Sequence, residues 1–234
     1  MSIPSIRVRV SGEFACFTRP EAKVERFSYP VMTPSAARNV LDAICWRPQM
    51  RWIVTAITVL KPIRLMSVLR NEVQSKVSPV AIKKWMRDAS TFEPFVAGAG
   101  NGTEGTPRNT TLLRDVAYWI DATPHVFDAT GDNTPQKYVE MMRRRVEKGQ
   151  CFQRPYLGCR EFAAEFSPPR DDDRPEALTM DIGRMLYDIA FLPEGNRAAF
   201  FAARLENGVM ETRPEAVLAD EARRKDVLEC SYRR

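Results

Sequence analysis

Arg143, Arg144 and Arg145 are consecutive, with Lys137 before them and Lys148 behind. On a helix, three successive guanidiniums fan outward, and at least one must be solvated. With flanking lysines they can follow a phosphate backbone, because arginine forks match phosphate oxygens and polyanion contacts release counterions. Arg19, Lys23 and Arg26 form a second basic group, on a loop without obvious carboxylate compensation. His125 is the single histidine. It follows Pro124 in an apolar segment and reads as a structural or surface residue rather than a catalytic one. The five cysteines (Cys16, Cys45, Cys151, Cys159 and Cys230) contain no Cys-x-x-Cys pair. Neither a zinc nor a redox site is expected of them, and no metal or other cofactor is implied. Asp171-Asp172-Asp173 lies between prolines and reads as an acidic linker. The stretch from Phe95 to Arg108, with Gly98, Gly100, Gly102 and Gly105, reads as a flexible loop and lacks the Lys-Ser/Thr ending of a phosphate-cradling one.

These side chains need a scaffold. Apolar residues make up 44% of the 234, enough to bury a core. The net charge of +5 is a modest excess, which suits a polyanion without demanding one. An odd cysteine count without a secretory leader reads as reduced, cytoplasmic thiols. No apolar run approaches the roughly 20 residues needed to cross a bilayer.

Ile6 to Val10 alternates apolar and charged residues and predicts a strand. Thr33-Pro34-Ser35 caps a helix from Ala36 to about Cys45, with Ala37, Val40, Leu41 and Ile44 as its buried stripe. Arg51 to Ile63 reads as a strand, Leu65 to Val73 as a second extended segment, and Val80 to Asp88 as a short helix. Thr111 to Phe127 is a long strand or a strand pair. Pro135 opens a helix from Gln136 to Lys148, closed by Gly149. Tyr156 to Phe166 alternates as a strand, Ile182 to Phe191 and Ala199 to Leu205 read as strands, and Asn207-Gly208 as a hairpin turn. The Pro168 to Pro175 stretch breaks the composition. The chain therefore divides into 1–167 and 168–234, the second part a small antiparallel β domain. The α+β order of the first part is the split βαβ, ferredoxin-like order, the architecture of RNA-recognition modules.

Specific residues narrow this reading. Ala15-Cys16-Phe17-Thr18-Arg19-Pro20-Glu21, Lys23-Val24-Glu25-Arg26, Ser28-Tyr29-Pro30-Val31 and Thr33-Pro34-Ser35-Ala36-Ala37-Arg38 come first. Trp46-Arg47-Pro48, Arg70-Asn71-Glu72-Val73, Leu113-Arg114-Asp115-Val116-Ala117-Tyr118, Gly149-Gln150-Cys151-Phe152 and Leu157-Gly158-Cys159-Arg160-Glu161-Phe162 follow in order. Together they resemble the Cas-five family of CRISPR-associated proteins, in its d or Dvulg branch (subtype I-C), within the RAMP superfamily.

The resemblance implies a ferredoxin-like RAMP domain followed by a small β domain. It implies metal-independent cleavage of the repeat hairpin in precursor CRISPR RNA, and retention of the 5′ handle beside the backbone and large subunits of an interference complex. Its site positions fall on Cys45, at the end of the first helix, and on Lys137 and Tyr138, opening the later one. Lys137 would stabilise phosphorane charge and Tyr138 would relay a proton. Cys45 stands where relatives carry tyrosine, and Tyr138 where a cutting relative has histidine. Arg19, Lys23, Arg26, Arg38, Arg143, Arg144, Arg145 and Lys148 are the expected RNA contacts. Alternatives are a non-cleaving RNA-capping subunit and a protein that binds or nicks double-stranded DNA. No membrane partner is expected.

Overall fold

A computed structural model describes residues 4–22, 24–73, 76–92 and 105–229. The expected alternation makes β1 (Ile6–Ala15), whose Val8 and Val10 are buried while Arg7 faces outward onto Asp121. β2 is the two-residue strand Arg26–Phe27. α1 (Pro34–Ile44) starts where Thr33 Oγ1 accepts the Ala36 N–H, a cap worth about 1 kcal/mol. β3 (Met50–Val59) and β4 (Leu65–Val73) follow, then α2 (Pro79–Arg87). β5 (Gly105–Val126) is one strand of 22 residues. It absorbs Gly105 to Arg108, which the glycine-rich pattern had assigned to a loop; residues 93–104 lie outside the described residues. α3 (Pro135–Glu147) ends as expected at Gly149, whose φ of +62° closes it in the left-handed region.

Only β6 (Glu165–Ser167) forms a strand between α3 and Pro168. The expected strand from Tyr156 to Phe166 is instead a turn closed by a Tyr156–Ala163 bridge, with Leu157 N–H donating to Phe162 O. Its alternation arises because Leu157 and Ala164 plug the core from a folded-back loop. β7 (Met180–Leu192) and β8 (Gly195–Leu205) form the expected antiparallel hairpin. Asn207 and Gly208, at φ of 50° and 79°, turn the chain into β9 (Val209–Glu211), as both central residues of a primed turn must. α4 (Pro214–Val217) and α5 (Glu221–Glu229) end the description.

The large sheet runs β6-β1-β5-β3-β9 with antiparallel neighbours; off this path β4 pairs with β5 antiparallel and β2 pairs with it in parallel. β5 changes partner midway: residues up to Leu113 pair with β4, and those from Tyr118 pair with β3. The change falls at Asp115, whose positive φ of 54° breaks the ladder. Its carboxylate accepts from Lys61 Nζ at 2.5 Å. α1 packs on β3 and β7, α3 packs on β1, β5 and β6, and the two helices touch. One buried cluster joins Val10, Trp52, Ile120, Leu41 and Met142 to Met185, Phe201 and Leu205, so it crosses the proposed boundary at 168. The acidic Pro-flanked segment is docked rather than free at Asp173, which accepts from Arg9 Nε at 3.0 Å and from the Trp119 indole at 3.1 Å. No helix among the described residues is long and apolar enough to cross a membrane.

Candidate functional site

α1 stops at Ile44 because Cys45 takes up extended dihedrals. The Cys45 carbonyl accepts the Trp52 indole N–H at 2.8 Å, which fixes the helix end against β3. The Cys45 thiol is fully buried, and burial pushes its pKa up against the opposing Arg145 and Arg47 guanidiniums. It is a packing group, not a surface nucleophile.

α3 begins beside this end. Thr134 Oγ1 accepts the Lys137 N–H at 3.3 Å, and Pro135 occupies the first turn. Tyr138 is buried with Val139, Met142 and Val146 on the sheet-facing stripe, while its hydroxyl donates to Asn133 Oδ1 at 2.8 Å. Burial raises the phenol pKa; Arg47 opposes this, and Asp128 and Cys45 add to it. Cys45, Arg47 and Tyr138 therefore share one electrostatic neighbourhood, where the end of α1 meets the start of α3. The half-buried Lys137 places its ammonium 6.0 Å from the Tyr138 ring centroid. A neutral phenol beside a lysine at a helix N-terminus can donate a proton and stabilise anionic charge.

Arg143, Arg144 and Lys148 are exposed and make no ion pair among the described residues. Arg145 differs: its Nη1 donates to Ile44 O at 2.7 Å, tying α3 to the end of α1. Arg19 lies 4.6 Å over the Tyr29 ring and 3.7 Å from Glu21. Arg26 sits between Glu161, at 3.3 Å, and Glu72, at 3.7 Å, with Cys159 Sγ at 3.5 Å. The loop is thus compensated by carboxylates, two of them distant in sequence. Lys23 lies outside the described residues.

Arg38, expected among the RNA contacts, is turned inward instead. Its guanidinium is buried and donates to both Asp188 oxygens, at 2.8 and 3.0 Å, and to Asp42 at 2.7 Å. Arg51 donates to the same Asp188 at 2.6 Å. Burial pushes the Asp188 carboxyl up, but Arg38 and Arg51 outweigh it and hold it below the usual carboxylate range. Arg38 joins α1 to β7 and has no face to offer RNA. His125 lies across from Arg51 on β5, its ring edge-on to Phe127 and its charged neighbours Arg51 and Glu229.

Two residues invisible as a pair in the sequence come together at Cys16 and Cys159. Cys16 N–H donates to Leu157 O at 3.0 Å, and Gly158 passes so close that a Cβ there would lie 2.0 Å from Cys16 O. The Cys159 thiol donates to Cys16 O at 3.7 Å. The hydrogen bond from Cys159 lowers Cys16 to about 6 against the cost of burial, with Thr18, Arg26 and Arg70 assisting. The same contact, with burial, raises Cys159. Among the described residues no three His, Cys, Asp or Glu side chains are grouped to hold a metal ion.

The family model for CRISPR-associated proteins of the Cas5d type matches residues 5–223. A protein of Mannheimia succiniciproducens named CRISPR pre-crRNA endoribonuclease Cas5d is 43% identical over 217 residues, 89% of this chain and 95% of its own. A Thermus thermophilus protein of the same name is 39% identical over 228 residues, covering 90% and 92%. The crystal structure of a CRISPR-associated protein superposes with a TM-score of 0.61 at 24% identity, over 89% of this chain and 91% of that one, which supports the fold. A functionally uncharacterized Streptococcus mutans protein gives 0.62 at 19% identity over 92% and 94%. With the model spanning nearly the whole sequence and both named relatives matched almost end to end, the chain belongs to the Cas5d family of CRISPR-associated proteins.

Proposed function

We propose that this protein is an endoribonuclease that binds and cuts the repeat hairpin of precursor CRISPR RNA without a metal ion, then stays on the 5′ handle as a subunit of a type I-C interference complex. The observation that carries the reading is the near full-length match to two relatives named for that endoribonuclease activity. The sheet order β6-β1-β5-β3, with α1 and α3 as crossovers, supports a ferredoxin-like RAMP domain in 1–167, with β7 and β8 in 168–234 as the appended β unit.

The chemistry assigned to the α1–α3 junction needs no resident group. The RNA 2′-hydroxyl gives its proton to solvent as its oxygen attacks the adjacent phosphorus, and the bond to the 5′-oxygen breaks. The products are a 2′,3′-cyclic phosphate and a 5′-hydroxyl. Lys137 faces the anionic phosphorane, and Tyr138, held neutral by burial, supplies a proton to the leaving oxygen. Cys45 packs beneath them. Arg143, Arg144 and Lys148 follow the backbone phosphates.

Incubation with the cognate repeat RNA in EDTA tests this. Cleavage to cyclic-phosphate ends is expected, and Lys137→Ala should slow it by roughly 100-fold or more. Intact RNA, or cleavage indifferent to that substitution, would overturn the catalytic assignment. Burial of Cys45 favours one second reading, a capping subunit that protects the handle without cutting; it predicts tight hairpin binding and no product. Equal competition by double-stranded DNA would point instead to a nonspecific duplex binder.

A further inference from the structure

Ser35, Asn39, Asp42 and Trp46 recur at helical spacing along α1 and its end, on the face turned away from the sheet. The segment after α3 lies along this face. Phe152 N–H and Gln153 N–H both donate to Ala43 O, at 2.9 and 3.1 Å, and Gln150 N–H donates to Arg145 O at 2.8 Å. Between helix and segment lies a cleft of about 380 Å³ lined by Asn39, Asp42, Trp46, Phe152, Gln153 and Tyr156. It continues past Asn39 and Tyr156 into a second cleft of about 210 Å³, with the hydroxyls of Thr18, Thr33 and Ser35 along it.

Folding does not explain this lining. Phe152 is 73% exposed, although its own N–H and that of Gln153 are both held by Ala43 O. Three aromatic rings and two side-chain amides converge on one space. Aromatic faces stack on bases, and amides read base edges, which is how unpaired nucleotides are recognised. A phosphate is a poor occupant, because the polar lining is Asn39, Asp42 and Gln153 with no cation among them. The cations stand just outside, in Arg47 next to Trp46 and in Arg145, bound to the α1 end. A backbone running over those arginines would direct a base inward.

We infer that this cleft takes one unpaired nucleobase of the RNA, stacked on Phe152 and Trp46 next to the α1–α3 junction. The inference rests on the RNA-processing reading for its choice of ligand. The full chain is titrated into a short single-stranded oligoribonucleotide carrying 2-aminopurine, and separately into the repeat hairpin with and without its unpaired flank.

Stacking should quench the fluorophore, and Phe152→Ala should weaken that binding about tenfold. The same substitution should weaken binding of the flanked hairpin and leave the blunt hairpin unchanged, while Phe152→Trp restores the quench. Because Phe152 is mostly exposed, these variants should keep the thermal midpoint of the parent. Absence of quenching, as expected if a partner protein's side chain fills the cleft, would overturn the inference, as would quenching that Phe152→Ala leaves intact. Failure of the parent to cut or prefer the hairpin, with the quench present and Phe152-dependent, sinks only the processing reading.

Discussion

Lys137 and Tyr138 are adjacent in sequence but face different environments, and their proposed roles divide accordingly. Tyr138 turns its ring into the core and its hydroxyl onto the Asn133 side chain, so Tyr138→Phe should fold with only that one hydrogen bond lost. Loss of the proton donor should lower the cleavage rate by roughly 100-fold or more with little change in RNA affinity, read as single-turnover rate against binding. The cysteine pair offers a test independent of RNA. Cys16 at about 6 lies below its ordinary value of 9.0, and Cys159 lies above it. Between these limits the folded chain holds fewer protons than the unfolded one at Cys16, so stability should rise as pH increases from about 6 to 9. Above that range Cys159 stays protonated only in the folded state, so the gain should reverse. Thiolate absorbance against pH should show the low step, and Cys159→Ala should move it upward. Nothing in the sequence announced this pair, since the two residues lie 143 positions apart and meet only through the fold. Arg38 misled for the opposite reason: its carboxylate partner Asp188 lies 150 residues away, so an arginine in a helix looked available.

Among the elements, α1 carries most of the functional placement. Its buried stripe, Thr33 cap and endpoint were legible, because capping and periodicity are local. So were α3, the β7–β8 hairpin and the Asn207-Gly208 turn. The loop at Tyr156 was misread because a folded-back turn that buries Leu157 and Ala164 leaves the same alternation as a strand. The Arg38–Asp188–Arg51 cluster clamps α1, β3 and β7 together. Asp188→Ala would leave two buried guanidiniums without their shared carboxylate. A loss of about 3–5 kcal/mol is expected by chemical denaturation. At the neighbouring junction, Gly158→Ala should also destabilise the chain. It would force a Cβ to 2.0 Å from Cys16 O at a residue with φ of +84°, and the thermal midpoint would show it.

At the scale of the molecule, one core spans the composition break at 168. Met210 and Leu205 pack with Ile57 and Trp52 in the same buried cluster, and β9 extends the sheet past β3. The acidic segment at the break is held on the sheet by Arg9 and Trp119. β5 dominates the arrangement, since β1, β2, β3 and β4 all pair with it. During synthesis, every strand before residue 105 therefore waits for one that has not yet been made. A nascent chain of that length carries strand edges and apolar faces without their native cover, and its long-range pairings must close late. The fragment 1–104 should show no cooperative unfolding and should aggregate, whereas the complete chain refolds. The ribosome thus has to pass residue 105 before the first strand pairing of the large sheet can begin, and has to reach residue 126 before β5 can complete its pairing with β3.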